Sequence, residues 1–159
     1  MADGPESSQN RSSTQENPMR LPAILAPTST PQTRGRTAAR IALGVVLALA
    51  GIGHMTFQRH EFQAQVPDWV PLGKDFTVLA SGLLEVGLGA ALVALPRHRR
   101  IVSWVVAAFF VAVFPGNIHQ YVAGIDAFGL DTDTKRLVRL FGQPVLVLWA
   151  IAAGGDGKR

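Results

Sequence analysis

The chain has 159 residues, 48% of them hydrophobic and only 16% charged, with no cysteine and a formal net charge of +4 at pH 7. Soluble globular domains carry roughly 25% charged residues, and here the apolar residues are gathered into blocks, so an integral membrane protein is expected rather than a water-soluble one. The lack of cysteine excludes disulfide scaffolds, thiolate zinc sites, iron–sulfur clusters and thiol catalysis. Basic residues sit beside the apolar blocks and do not interleave with aromatics on one face, which points to the lipid bilayer as partner and away from nucleic acid.

Residues 1–35 are rich in Ser, Gln, Asn, Thr and Pro, and their one apolar cluster, at 21–26, is broken by Pro22 and followed by Pro27. This composition predicts a disordered polar tail. No apolar run behind a basic start marks a secretory signal, so the N-terminus is expected to stay in the cytoplasm.

Long, nearly charge-free stretches follow at 41–58, 76–95, 101–124 and 137–153. About 20 helical residues cover a hydrocarbon core of about 30 Å. None of the first three stretches has the polar stripe that a helix of a soluble bundle turns to water. The expectation is a domain at 36–155 with spans at about 38–58, 76–95, 101–122 and 137–153. Pro115-Gly116-Asn117 is expected to bend or end the third helix.

The basic clusters set the orientation. Arg34, Arg36 and Arg40 precede the first helix, Arg97, His98, Arg99 and Arg100 link the second to the third, and Lys158 and Arg159 follow the fourth. The remaining loops mix signs, with Arg59, Glu61, Asp68, Lys74 and Asp75 in one and Asp126, Asp131, Asp133, Lys135 and Arg136 in the other. The positive-inside bias therefore predicts an all-α, multi-pass four-helix bundle in the cell membrane with both termini cytoplasmic.

Polar side chains inside spans are costly and face the bundle interior, so their depths matter. At about 1.5 Å per residue, His54 lies roughly 10 Å and Glu85 about 14 Å below the outer edge. Asn117 and His119 fall at roughly 3 to 6 Å, and Arg139 and Gln143 at about 3 to 9 Å. All six occupy the outer half, and every helix contributes at least one. This pattern predicts a shared, outward-opening polar pocket. Glu85 and His54 are the candidates for proton exchange, and His54, Glu85, Asn117, His119, Arg139 and Gln143 the candidates for ligand binding. Ser81, Glu85 and Gly89 share a face with Gly82 beside them, which lets a partner helix approach closely. The counter-group for the carboxylate is Arg139 or a histidine. Each residue also has a structural reading: Glu85 as a register-fixing pair member, His54 as a packing residue, Asn117 as a cap and Arg139 as a snorkelling anchor. No HxxxH or ExxH spacing and no GxxxxGK[ST] loop occurs, so no metal, haem or nucleotide is expected.

The segments GIGHMTF, VPDWVP, SGLLEVGLG, VFPGNIHQY and RLFGQPVLVLWA occur in this order between Arg40 and Ala153. The arrangement resembles the DoxX-like family of small four-helix bacterial membrane proteins. The positions matching its motifs are His54, Pro67, Trp69, Pro71, Gly82, Glu85, Pro115, Asn117, His119, Arg139 and Gln143. The family's more usual pattern places a proline between the arginine and the glutamine of the fourth helix, whereas here Phe141-Gly142 fills that stretch and Pro144 follows. The resemblance implies a four-helix bundle in the cytoplasmic membrane and a link to quinone or other redox systems. The leading expectation is binding of a quinone or similar small amphiphile in the polar pocket, with a second copy or a membrane redox partner. The alternatives are a small-molecule or proton-linked transporter and an accessory subunit without its own chemistry.

Overall fold

A computed structural model describes Pro22 and residues 25–156 of the chain. It is all-helical, with α1 (Arg34–Met55), α2 (Arg59–Gln65), α3 (Lys74–Ala94), α4 (Arg99–Val122) and α5 (Asp133–Gly154), plus a single tight turn of helix at Pro96–His98. The four long helices are each long and apolar enough to cross a membrane.

Two helix starts lie about four residues before the expected spans, and polar caps explain both. The Thr33 hydroxyl accepts from the Arg36 amide at 3.4 Å, and the Thr132 hydroxyl from the Lys135 amide at 3.3 Å. Each satisfies one of the amides left open at a helix start. Hydropathy marks the apolar part of a helix; the cap, sitting in charged sequence, marks its beginning. α2 was not expected at all, since its sequence RHEFQAQ lies in a polar connection. Pro115 does not end the third helix, because α4 continues past it to Val122, where the expected span stops. One missing amide costs a helix a single hydrogen bond, which packed neighbours offset in apolar surroundings.

The helices pair as α1 on α3 and α4 on α5, with α1 also touching α5. Leu43, Leu47, Leu92, Val106, Phe110 and Ala150 form the buried centre. The α1–α3 seam depends on glycines at a seven-residue spacing. A Cβ at Gly44 would sit 2.7 Å from the Gly89 carbonyl oxygen, and one at Gly51 would overlap the Gly82 carbonyl oxygen. The two backbones are therefore in contact at two places along an antiparallel pair. Large apolar side chains such as Leu49, Leu83, Val138 and Leu148 point outward, each more than 60% exposed. Apolar patches of that extent are rare on soluble monomers.

Residues 25–33, counted with the polar tail in the sequence reading, pack across one end of the bundle. Thr28 gives both its amide (2.8 Å) and its hydroxyl (3.0 Å) to the Arg97 carbonyl, and the Gln32 side-chain amide donates to the Ala153 carbonyl at 2.8 Å. Residues 1–21, 23, 24 and 157–159, including Lys158 and Arg159, lie outside the described residues, as does the expectation of a disordered tail there. At the same end Arg99 donates to Asp156 at 2.7 Å, and Arg100 bonds its other oxygen. The hydrogen bond from Arg100, reinforced by Arg99, holds the Asp156 carboxyl below the usual carboxylate range. A carboxylate whose folded pKa is depressed adds stability above its unfolded value of about 3.9 and loses it as pH falls through the folded pKa. Thermal unfolding followed against pH is thus expected to separate wild type from Asp156→Asn above pH ~4 and to bring them together at lower pH.

Candidate functional site

At the opposite end, α1 and α4 finish while α3 and α5 begin, and α2 with the loop after it lies over their junction. Beneath that cover is a cavity of about 330 Å³. Its walls include Leu43, Leu47, Val78, Phe110 and Leu146, and its polar lining includes His54, Gln65, Ser81, Glu85, Asn117, Arg139 and Gln143. Five of the six site residues expected from sequence therefore line one cavity. His119 does not; it sits on α4 outside the cavity lining, with its Nδ1 buried and without a hydrogen-bond partner.

His54 and Glu85 form the centre of this lining. The His54 Nε2 lies 3.4 Å from the Glu85 Oε2, and both side chains are more than nine-tenths buried. On its other side the ring Nδ1 is 3.1 Å from the Ser81 hydroxyl oxygen, and that hydroxyl donates its proton to the Val78 carbonyl at 3.0 Å. With its proton committed to Val78, the Ser81 oxygen accepts from Nδ1, which assigns the ring tautomer. The Nε2 of a neutral ring is then an acceptor and faces the Glu85 carboxyl oxygen. Oε2 has no hydrogen-bond partner in this arrangement, so a small movement of either side chain is needed to bring the two groups into a hydrogen bond.

Arg139 serves a different part of the site. It had been a candidate partner for Glu85, but its Nη2 donates to Gln65 Oε1 at 3.3 Å and its Nε to Asn117 Oδ1 at 3.4 Å. The guanidinium also lies 4.5 Å from the centre of the Phe128 ring. The physical reason is α2, which brings a second amide oxygen to this end of the bundle and meets the guanidinium before it can reach Glu85. Asn117 in turn donates to Gln143 Oε1 at 2.9 Å, and Gln143 to the Phe110 carbonyl at 2.6 Å. A second branch runs from Gln65 to Gln120 Oε1 at 2.5 Å and on to the Ile125 and Ala127 carbonyls, each at 3.3 Å.

Sequence reasoning missed Gln65, Gln120 and Phe62. The Phe62 ring meets His54 at a 45° tilt with ring centres 3.4 Å apart and meets Phe128 edge-on at 4.6 Å. The available signal was the spacing of Phe62 and Gln65, three apart and hence on one face of a short helix. α2 is anchored at its start by Arg59, which bonds Asp75 through both Nε (2.7 Å) and Nη2 (2.5 Å). That hydrogen bonding raises the Arg59 pKa further above its ordinary value. Glu61 accepts from the Phe128 amide and ties α2 to the connection between α4 and α5. Among the described residues no group of three or more His, Asp or Glu side chains is placed to hold a metal ion.

A family model described as a domain of unknown function, DUF8561, matches residues 43–154. The chain belongs to the DUF8561 family. No match was found among curated proteins or among solved structures. Every residue lining the His54–Glu85 cavity falls inside the DUF8561 segment. Within this DUF8561 domain Gln143 is the buried link between α4 and α5. Gln143→Leu leaves the Asn117 amide without its acceptor, and is expected to lower unfolding stability by about 1–3 kcal/mol, as measured by thermal melting in detergent.

Proposed function

We propose that this chain is a DoxX-like protein spanning the cell membrane four times with both termini cytoplasmic, and that it binds a quinone or similar small amphiphile in the His54–Glu85 cavity as part of a redox-linked system. One observation carries the ligand class: a cavity of about 330 Å³ whose apolar walls meet a few convergent polar groups at one end. That division suits a molecule with an apolar body and a small polar head. Two of the five guanidinium donors of Arg139 are engaged by Gln65 and Asn117 in the bonds described above, so others can meet a carbonyl oxygen of the head. The titratable groups of the His54–Glu85 pair suit a head whose oxygen gains or loses a proton. Electrons for any redox change would come from a partner in the membrane. The order of the five sequence segments supports the DoxX-like reading, and the clustering of arginines at the opposite end of the bundle supports the orientation.

Titration of the purified protein with a short-chain quinone by calorimetry tests the assignment. Glu85→Gln keeps the size of the side chain and removes its exchangeable acid, and is expected to weaken binding about tenfold, equivalent to ~1.4 kcal/mol. Equal binding by both proteins removes Glu85 from the role. A variant that only melts earlier and binds as well as wild type favours an accessory subunit locked by its polar cluster.

A further inference from the structure

The end of the bundle opposite the His54–Glu85 site holds a second cavity, of about 630 Å³, between residues 27–32, the first turns of α1 and the link from α3 to α4. All of its charged lining is basic: Arg40, Arg97 and Arg99. Arg40 and Arg99 are each only 4% exposed. Arg40 donates from Nε to Gln32 Oε1 at 3.2 Å and from Nη1 to the Leu92 and Val93 carbonyls, all of them neutral acceptors. Arg99 reaches the Thr30 carbonyl and Asp156, each at 2.7 Å, while its Nε is buried with no hydrogen-bond partner. The single charge of Asp156 is shared with Arg100.

Two buried guanidinium groups on the wall of one cavity repel each other, and a buried cation bonded only to neutral groups is costly. An anion between them removes both penalties. Ser29, Thr30 and Thr37 add hydroxyl groups to the same wall. Planar guanidinium groups with hydroxyl donors are the side chains that bind phosphate oxygens in pairs. We propose that this cavity binds a phosphate-ester anion, with Arg40 and Arg99 supplying the opposing charge and Arg97 closing the mouth. The chemistry fits an anionic phospholipid headgroup or a soluble phosphate. The exposed apolar residues Ile41 and Leu95, next in the chain to Arg40 and Pro96, offer acyl chains a path along the bundle and favour the headgroup. The inference is separate from quinone binding at the other end and stands or falls without it.

Native mass spectrometry of the full chain in detergent, offered equal amounts of dioctanoyl phosphatidylglycerol and dioctanoyl phosphatidylcholine, tests the proposal; a parallel arm offers inorganic phosphate alone. Retention of one phosphatidylglycerol per chain, preferred about tenfold over phosphatidylcholine, is expected. The preference is expected to fall to near parity in Arg40→Gln and to drop severalfold in Arg97→Gln, whose exposed side chain can change without disturbing the buried bonds. Should Arg40→Gln fail to fold, Arg97→Gln decides. Binding of inorganic phosphate with no lipid preference upholds a phosphate site and assigns it to a soluble ligand. Equal retention of both lipids together with no phosphate bound overturns the proposal, as does an undiminished preference in Arg97→Gln.

Discussion

Gly51→Leu is expected to prevent α1 from docking on α3 and to remove the folded monomer from size-exclusion profiles in detergent. A Cβ at that position already overlaps the Gly82 carbonyl oxygen and comes within 2.9 Å of both Glu85 Cβ and Val86 Cγ2. The obstacle is backbone, which cannot rotate away as a side-chain tip can. Ordinary overpacking of a core costs about 1–3 kcal/mol, and that range is expected for Gly51→Ala alone. Leucine adds three more carbons at the same contact. Because Gly44 meets Gly89 in the same manner two turns away, the helices cannot relieve the clash by pivoting about a free end. Gly87 provides the control, since a Cβ there meets nothing within 4 Å. Gly87→Ala is expected to be neutral or to stabilise by about 0.5–1 kcal/mol, the usual preference for alanine inside a helix. Circular-dichroism melting of the three variants checks the order.

The second large effect concerns the buried pair. His54→Leu leaves the buried Glu85 carboxyl without its polar neighbour, and loss of one partner from a buried pair costs roughly 3–5 kcal/mol. The double variant His54→Leu, Glu85→Leu is expected to recover most of that loss, because two apolar side chains of similar reach need no partner. A double-mutant cycle on unfolding free energy reads the coupling directly. A purely additive cycle would mean that the two groups are neighbours without energetic coupling.

Much of the bundle was legible because long apolar helices write themselves in composition. The four apolar stretches correspond to α1, α3, α4 and α5, and the face with Gly82 and Gly89 identified from spacing is where the two backbones meet. Depth arithmetic also grouped His54, Glu85, Asn117, Arg139 and Gln143, since helix rise converts sequence position into height with little error. It says nothing of azimuth. His119 shares its depth with Asn117 but is two residues on, which turns it about 200° around the helix and away from the cavity. Arg139 shows a different limit. Its charge made Glu85 an attractive partner, but the competing acceptors, Gln65 on α2 and Asn117, came partly from an element with no apolar signature. A helix of seven residues in a polar connection carries too few positions for periodicity to separate it from a loop. The segment at 27–32 was obscured for the same reason: polar residues that bond to carbonyls of other helices look, in sequence, like polar residues that bond to water.

The most direct test of the ligand-binding reading is photolabelling with an azido-quinone in the reconstituted membrane, with the labelled peptides identified by mass spectrometry. Labelling that is competed by unmodified quinone and confined to peptides carrying Phe62, Trp69, Ser81 or Asn117, residues that line the cavity, is the expected result. Labelling spread evenly along the lipid-facing sides of the four long helices, or undiminished by competitor, would contradict it.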